Sequence, residues 1–168
     1  MSKLYLLCGV PGSGKSTWIQ QRLEEHKTKN EDAIWCSRDL VRFSMLSVEE
    51  DYFAKEDKVF EYWIDDIQDA IYLGIENIYI DATHLSAKAR EKVLESLTLL
   101  SDTEIIPVNF LLPLQLCLER NELRKGIGRT YVPRGVIRRM FIQFRPAEHG
   151  EKFTYADIIN IKEEKTDV

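Results

Sequence analysis

Cysteine and histidine are scarce in this chain, with three of each among 168 residues. Cys8, Cys36 and Cys117 stand far apart in apolar surroundings. That pattern fits neither a disulfide framework nor thiolate metal ligation, and it leads us to expect reduced, buried thiols in a cytoplasmic protein. His26, His84 and His149 are scattered singly, which excludes a histidine-rich metal site. No apolar run approaches the ~18 residues of a membrane span. An apolar strand begins almost at the N-terminus, leaving no place for a signal peptide. Repeats, linkers and low-complexity stretches are absent as well. One soluble domain with a substantial core is the expectation, and 44% hydrophobic against 30% charged residues agrees with it.

Positive charge is in deficit overall. The net charge of −5 argues against a general nucleic-acid binder. Its distribution is uneven, however. Eight basic residues and two acidic ones lie between Glu119 and Arg145, a local +6 that leaves −11 for the rest. A localised basic surface on an acidic body suits a site for phosphates, although part of it is expected to be a solvated helix face.

What the chain does have is Gly9-Val10-Pro11-Gly12-Ser13-Gly14-Lys15-Ser16, which satisfies G-x-x-x-x-G-K-[ST] at every fixed position. The apolar run Leu4 to Cys8 before it reads as a buried strand, and Lys15 to Glu25 after it as a helix. Strand, glycine-rich loop and helix together make a phosphate cradle. Backbone N–H groups converge on phosphate oxygens and the helix N-terminus adds its positive end. Lys15 then reaches the β- and γ-phosphates and Ser16 can ligate Mg²⁺. Gly9, Pro11, Gly12, Ser13, Gly14, Lys15, Ser16 and Thr17 are the candidate nucleotide-binding residues.

Further strands are expected at 33–36, 77–80, 104–111 and 156–161. Helices are expected at 40–46, 51–73, 87–100, 113–124 and 134–144. Asp39 or Ser86 would supply N-caps, and Gly74 a helix end. The aromatic stripe of the long 51–73 helix reads as core rather than as a base-stacking platform. Alternating strands and helices predict a three-layer α/β fold, a five-stranded parallel sheet flanked by helices of the P-loop NTPase type. Ligands bind such sheets beyond the C-terminal strand ends. The phosphate loop, Arg38-Asp39 and Asp81-Ala82-Thr83-His84 all fall there.

Phosphoryl transfer needs a group to orient and deprotonate the acceptor hydroxyl, and cations around the moving phosphoryl. Asp39 can serve as the base or can merely cap the next helix. Arg42, one turn on, can grip an acceptor phosphate or form a surface salt bridge. Asp81 can hold Mg²⁺ through water or be a simple turn residue, and His84 reads as a turn residue. Arg120 and Arg124 share one helix face. Arg129 follows in a glycine-bounded loop, and the segment 124–133 reads as a lid closing over the triphosphate.

The phosphate loop through Trp18, Ser37-Arg38-Asp39-Leu40-Val41-Arg42, Asp81 to Ser86, Arg120-Asn121 and Gly128 to Pro133 together resemble the 5′-kinase domain of phage and bacterial polynucleotide kinases. The likeness spans almost the whole chain in the same order. It implies an ATP- and Mg²⁺-dependent kinase acting on the 5′-hydroxyl end of RNA or DNA. It implies Asp39 as general base, Arg42 as ligand of the acceptor's 3′-phosphate, and Arg129 or Arg124 as the lid arginine. Lys15 would be catalytic, Arg120 would touch the nucleotide, and Arg38, Arg42, Asp81 and Thr83 would line the acceptor side. The family's Asp-Thr-Asn is replaced here by Asp81-Ala82-Thr83-His84. No fused phosphatase domain is expected. The alternatives are a small-molecule or nucleotide-sugar kinase on the same scaffold, including relatives of zeta-type toxins, and a nucleotide-binding module or ATPase without an acceptor.

Overall fold

A computed structural model describes residues 1–128 and 130–163. The elements in chain order are β1 (Lys3–Cys8), α1 (Lys15–Lys29), β2 (Ala33–Ser37), α2 (Arg38–Met45), α3 (Glu56–Tyr72), β3 (Asn77–Asp81), α4 (Ala87–Glu95), β4 (Glu104–Phe110), α5 (Leu114–Glu122), α6 (Arg134–Gln143) and β5 (Ile159–Ile161). The five strands form one sheet in the order β2-β3-β1-β4-β5. All their pairings are parallel, so the expected α/β architecture is the one observed.

The central strands are buried on both faces, and their side chains alternate between two cores. Leu4, Leu6 and Cys8 of β1 and Ile78 and Ile80 of β3 pack with Trp63, Ile67, Val93 and Leu94 of α3 and α4. Leu7, Tyr79, Val108 and Phe110 face the opposite way, against Ile19, Cys117, Leu118 and Ile137. All three cysteines are free and buried. Among the described residues, no helix is long and apolar enough to cross a membrane.

Several boundaries differ from the sequence expectation, each for a local reason. Helix α2 starts at Arg38 because Ser37, not Asp39, is its cap: the Ser37 hydroxyl accepts from the Leu40 N–H at 3.2 Å. Helix α3 begins at Glu56 rather than Asp51, since the Asp51 carboxylate turns back to accept from the Phe53 N–H at 2.9 Å. The aromatic stripe therefore splits. Trp63 is fully buried, while Tyr52 and Phe53 lie outside the helix and are exposed. Helix α4 ends at Glu95 because the next N–H groups, of Ser96 and Leu97, bond three residues back instead of four. Strand β5 is only three residues long.

The register places the chemistry. Leu7 of β1 and Ser37 of β2 both pair with Asp81 of β3. The phosphate loop, the start of α2 and Asp81 thus emerge side by side at one end of the sheet.

Candidate active site

The loop between β1 and α1 curls through left-handed backbone at Gly12 (φ 81°) and Gly14 (φ 91°). Gly12 is needed for space as well. A Cβ there would lie 2.4 Å from the Cys117 carbonyl oxygen of α5, closer than any real contact. Gly14 sits under Arg120, whose Nη1 would be 3.1 Å from a Cβ at that position. The Gly9 N–H bonds to the Thr83 carbonyl at 2.9 Å, tying the loop to the segment after β3. Lys15 folds back over the loop and donates to the carbonyls of Gly9 (2.8 Å) and Val10 (3.0 Å). Ser13 Oγ is buried with no hydrogen-bond partner. An orphaned buried hydroxyl inside a curl of backbone amides fits an incoming anion.

Four titratable groups share this end of the sheet. Burial lowers the Lys15 ammonium below the ordinary lysine range, Asp81 and Asp39 oppose the shift, and Arg124 adds to it. Burial likewise raises the Asp81 carboxyl. Lys15 and Arg124 pull it back, as does the Trp35 indole, which donates to its Oδ2 at 3.0 Å. Lys15 and Asp81 are thus each within electrostatic reach of the other and of both Asp39 and Arg124. Ser16 and Asp81 offer hard oxygen donors of the kind Mg²⁺ takes. Among the described residues, no cluster of three or more acidic, histidine or cysteine side chains makes a self-sufficient metal cage. A Mg²⁺ here would have to share its ligands with phosphate oxygens, as this ion commonly does.

Beside the loop is an open cavity of about 620 Å³. Gly12, Ser13, Gly14 and Thr17 form its phosphate end, with Arg120 and Arg124 over it. Trp18, Phe110, Leu112 and Ile161 supply apolar walls suited to a nucleobase. Arg129 lies outside the described residues.

On the acceptor side, Asp39 is the second residue of α2, and its carboxylate is half in solvent. Arg42 pairs with Asp39 and donates to the Tyr52 hydroxyl at 2.7 Å. It also forks onto Glu56 at 2.9 and 2.7 Å. Its guanidinium lies 4.1 Å from the Tyr52 ring centre. Arg42 is only 3% exposed, so it is no surface salt bridge. The open face expected for an acceptor phosphate is taken by Glu56. Arg38 also goes to Glu56 and stacks on Phe60 and Trp63, bracing α2 against α3.

His84 is a buried structural residue with a left-handed backbone (φ 44°). Its Nδ1 bonds to the Leu7 carbonyl, its Nε2 has no partner, and burial pushes its pKa down to about 3.

Sequence reasoning missed Tyr52 and Glu56, which arrange Asp39 and Arg42. It also missed Arg90, which forks onto Glu151 at 3.0 and 2.6 Å and donates to the carbonyls of His84 and Arg145. Tyr155 donates to the same glutamate at 2.5 Å. This buried knot staples the C-terminal segment behind the Asp81 to His84 turn. No local pattern announces it, because its ion pair spans 61 residues of chain.

The family model described as AAA domain matches residues 4–147. No curated protein sequence matches the chain. Among solved structures, a chain of the Pnkp1/Rnl/Hen1 RNA repair complex aligns with TM-score 0.69 and 22% identity, over 91% of this chain and 50% of that one. The present chain therefore spans about half the length of that relative. A fungal RNA kinase aligns with TM-score 0.60 and 13% identity over 99% and 77% of the two chains. Kti12 of Chaetomium thermophilum, solved with ADP-AlF3, aligns with TM-score 0.62 and 14% identity over 95% and 88%. At these identities the likeness is one of fold. With the family match covering most of its length, the chain belongs to the AAA domain family and has the P-loop kinase fold.

Proposed function

We propose that this chain transfers the γ-phosphate of ATP to the 5′-hydroxyl end of RNA or DNA. The observation that carries this reading is Asp39. It is a carboxylate freed from capping duty, at a strand end, in electrostatic reach of the phosphate-loop lysine. Two structural relatives, a chain of an RNA repair complex and a fungal RNA kinase, favour the same acceptor class.

The loop amides and Lys15 hold the β- and γ-phosphates, with Lys15 leaving the Gly9 and Val10 carbonyls to do so. Ser16 and Asp81 would supply oxygen ligands for Mg²⁺, which when bound would neutralise phosphate charge. Asp39 accepts the proton of the attacking hydroxyl. Arg124, already close enough to perturb Lys15, balances negative charge developing on the transferred group. Arg120 covers the loop at Gly14. Arg129 is the other candidate for the lid role. Arg42 holds Asp39 and is not itself open to an acceptor phosphate.

That last point supports a second reading, a small-molecule kinase whose acceptor carries no phosphate. Gluconokinase and sugar-kinase structures share the fold. Incubation with γ-labelled ATP and 5′-hydroxyl oligonucleotides, alongside a metabolite panel, separates the two. Label on the oligonucleotide supports the polynucleotide reading. Label only on a small metabolite, with competent ATP binding, overturns it.

A further inference from the structure

We propose that Phe53, seated on Tyr52, is a stacking platform for the nucleobase of the acceptor's terminal nucleoside. This inference rests on the polynucleotide reading above and adds a recognition element to it. The segment between α2 and α3 carries exposed apolar side chains. Phe53 is 63% exposed, Val48 and Tyr52 of the same segment are exposed, and so is Leu40 of α2. Exposed aromatic rings are common on protein surfaces, so it is the position of this one beside Asp39 that singles it out.

Geometry ties this ledge to the chemistry. Tyr52 donates its hydroxyl to Asp39 at 2.6 Å, and Phe53 meets the Tyr52 ring edge-on, with centres 4.8 Å apart. Phe53 is thus one ring away from the carboxylate that would receive the hydroxyl proton. An acceptor whose hydroxyl reaches Asp39 is within reach of this surface, since in a terminal nucleoside the base is one sugar from the 5′-oxygen. The ledge is also held in place. The Phe53 N–H is bonded to Asp51, the Ala54 N–H to the Asp51 carbonyl, and the Glu56 N–H to the Phe53 carbonyl. A backbone held in this way lowers the ordering entropy lost by the segment on binding.

The chemistry of the ledge selects its occupant. Its two arginines, Arg38 and Arg42, are neutralised by Glu56 and Asp39, so it presents ring faces rather than open positive charge. A phosphate would want the charge, and a bare sugar would want hydrogen-bonding groups. A nucleobase wants the rings, and stacking tolerates every base because each has a π-face.

The test uses the whole chain, ATP and two 5′-hydroxyl oligonucleotides that differ only in whether the 5′-terminal nucleotide carries its base or is abasic. The wild-type chain is expected to show a KM on the order of tenfold higher for the abasic acceptor. Phe53→Ala raises KM for the intact acceptor to a similar extent and abolishes the difference between the two, with KM for ATP unmoved. Phe53→Leu keeps the bulk without the ring and gives the same loss of discrimination, which guards against a folding defect in the alanine variant. Tyr62→Ala, an exposed aromatic on α3, leaves both acceptors as in the wild type. Equal KM for both acceptors in the wild type, or discrimination retained in both Phe53 variants, overturns the platform alone. Absence of transfer to either acceptor overturns the polynucleotide reading and the platform with it.

Discussion

The Tyr52 hydroxyl donates to Asp39 Oδ1 at 2.6 Å, and Arg42 donates to both residues. A half-exposed carboxylate would ordinarily sample several rotamers. Here two donors hold one of its oxygens, leaving Oδ2 for a hydroxyl proton. Although the Tyr52 ring is partly exposed, loss of solvent around its hydroxyl is the main reason the phenol is pushed above its ordinary range, and the neighbouring Asp39 charge adds to it. The tyrosine therefore stays protonated and donating throughout the working pH range.

Tyr52→Phe keeps the ring and removes only that donor. We expect kcat to fall about tenfold, the worth of one hydrogen bond to a charged group, with KM for ATP unchanged. Steady-state kinetics with saturating acceptor checks this. An unchanged kcat would mean that Arg42 alone positions Asp39.

Arg124 lies over the phosphate end of the cavity and already perturbs Lys15. If it balances charge in the transition state, Arg124→Ala lowers kcat by about 10³-fold, with a much smaller change in ATP affinity. Comparison of kcat with the Kd for a non-hydrolysable ATP analogue separates the two. Equal losses in both would make Arg124 a ground-state ligand only.

Gly12→Ala forces a Cβ to within 2.4 Å of the Cys117 carbonyl at a φ of 81°. Backbone strain of this kind costs about 1–3 kcal/mol, and relief requires the loop to move off α5. Urea unfolding is expected to show the loss in stability, and calorimetry a loss of nucleotide binding. Gly74 has a similar φ of 72° but nothing within 4 Å of its would-be Cβ. Gly74→Ala is therefore expected to cost stability without touching nucleotide binding.

What the sequence made legible is what chain neighbours determine. The loop from Gly9 to Ser16 could be placed because its glycines, lysine and serine act within one turn. The strands could be placed because β-branched runs alternate with helical periods. Asp39 was ambiguous between base and cap, since a cap is decided by backbone angles one or two residues away, and Ser37 took that position. Glu56 was invisible for a different reason. It reaches Arg42 across a turn that a helical reading of residues 51–55 had erased. The arginine expected to grip a phosphate is instead held by a glutamate, and only the fold brings the two together.

His84 makes stability depend on pH in a stated direction. Burial, aided by the nearby charges of Arg90, Lys15 and Arg38, holds its folded pKa at about 3, against about 6.5 for a free histidine. The unfolded chain therefore binds the extra proton first. The contribution of His84 is fully present above pH ~6.5 and is lost as pH falls toward the folded value. The raised Asp81 carboxyl works oppositely, favouring the fold at low pH and losing that contribution as pH rises through its folded pKa. His84→Asn tolerates the left-handed backbone and isolates the first effect. Urea unfolding between about pH 7 and 4.5 is expected to show a steeper loss for the wild type than for the variant. Parallel curves would refute the assignment.

Activation of a polynucleotide 5′-hydroxyl by Asp39 stands or falls with Asp39→Asn. The substitution keeps the shape and removes the proton acceptor. Transfer of label from γ-labelled ATP to a 5′-hydroxyl oligonucleotide is measured beside ATP affinity on the same preparation. The expected result is loss of transfer with ATP affinity nearly intact. Near-normal turnover by Asp39→Asn would contradict it.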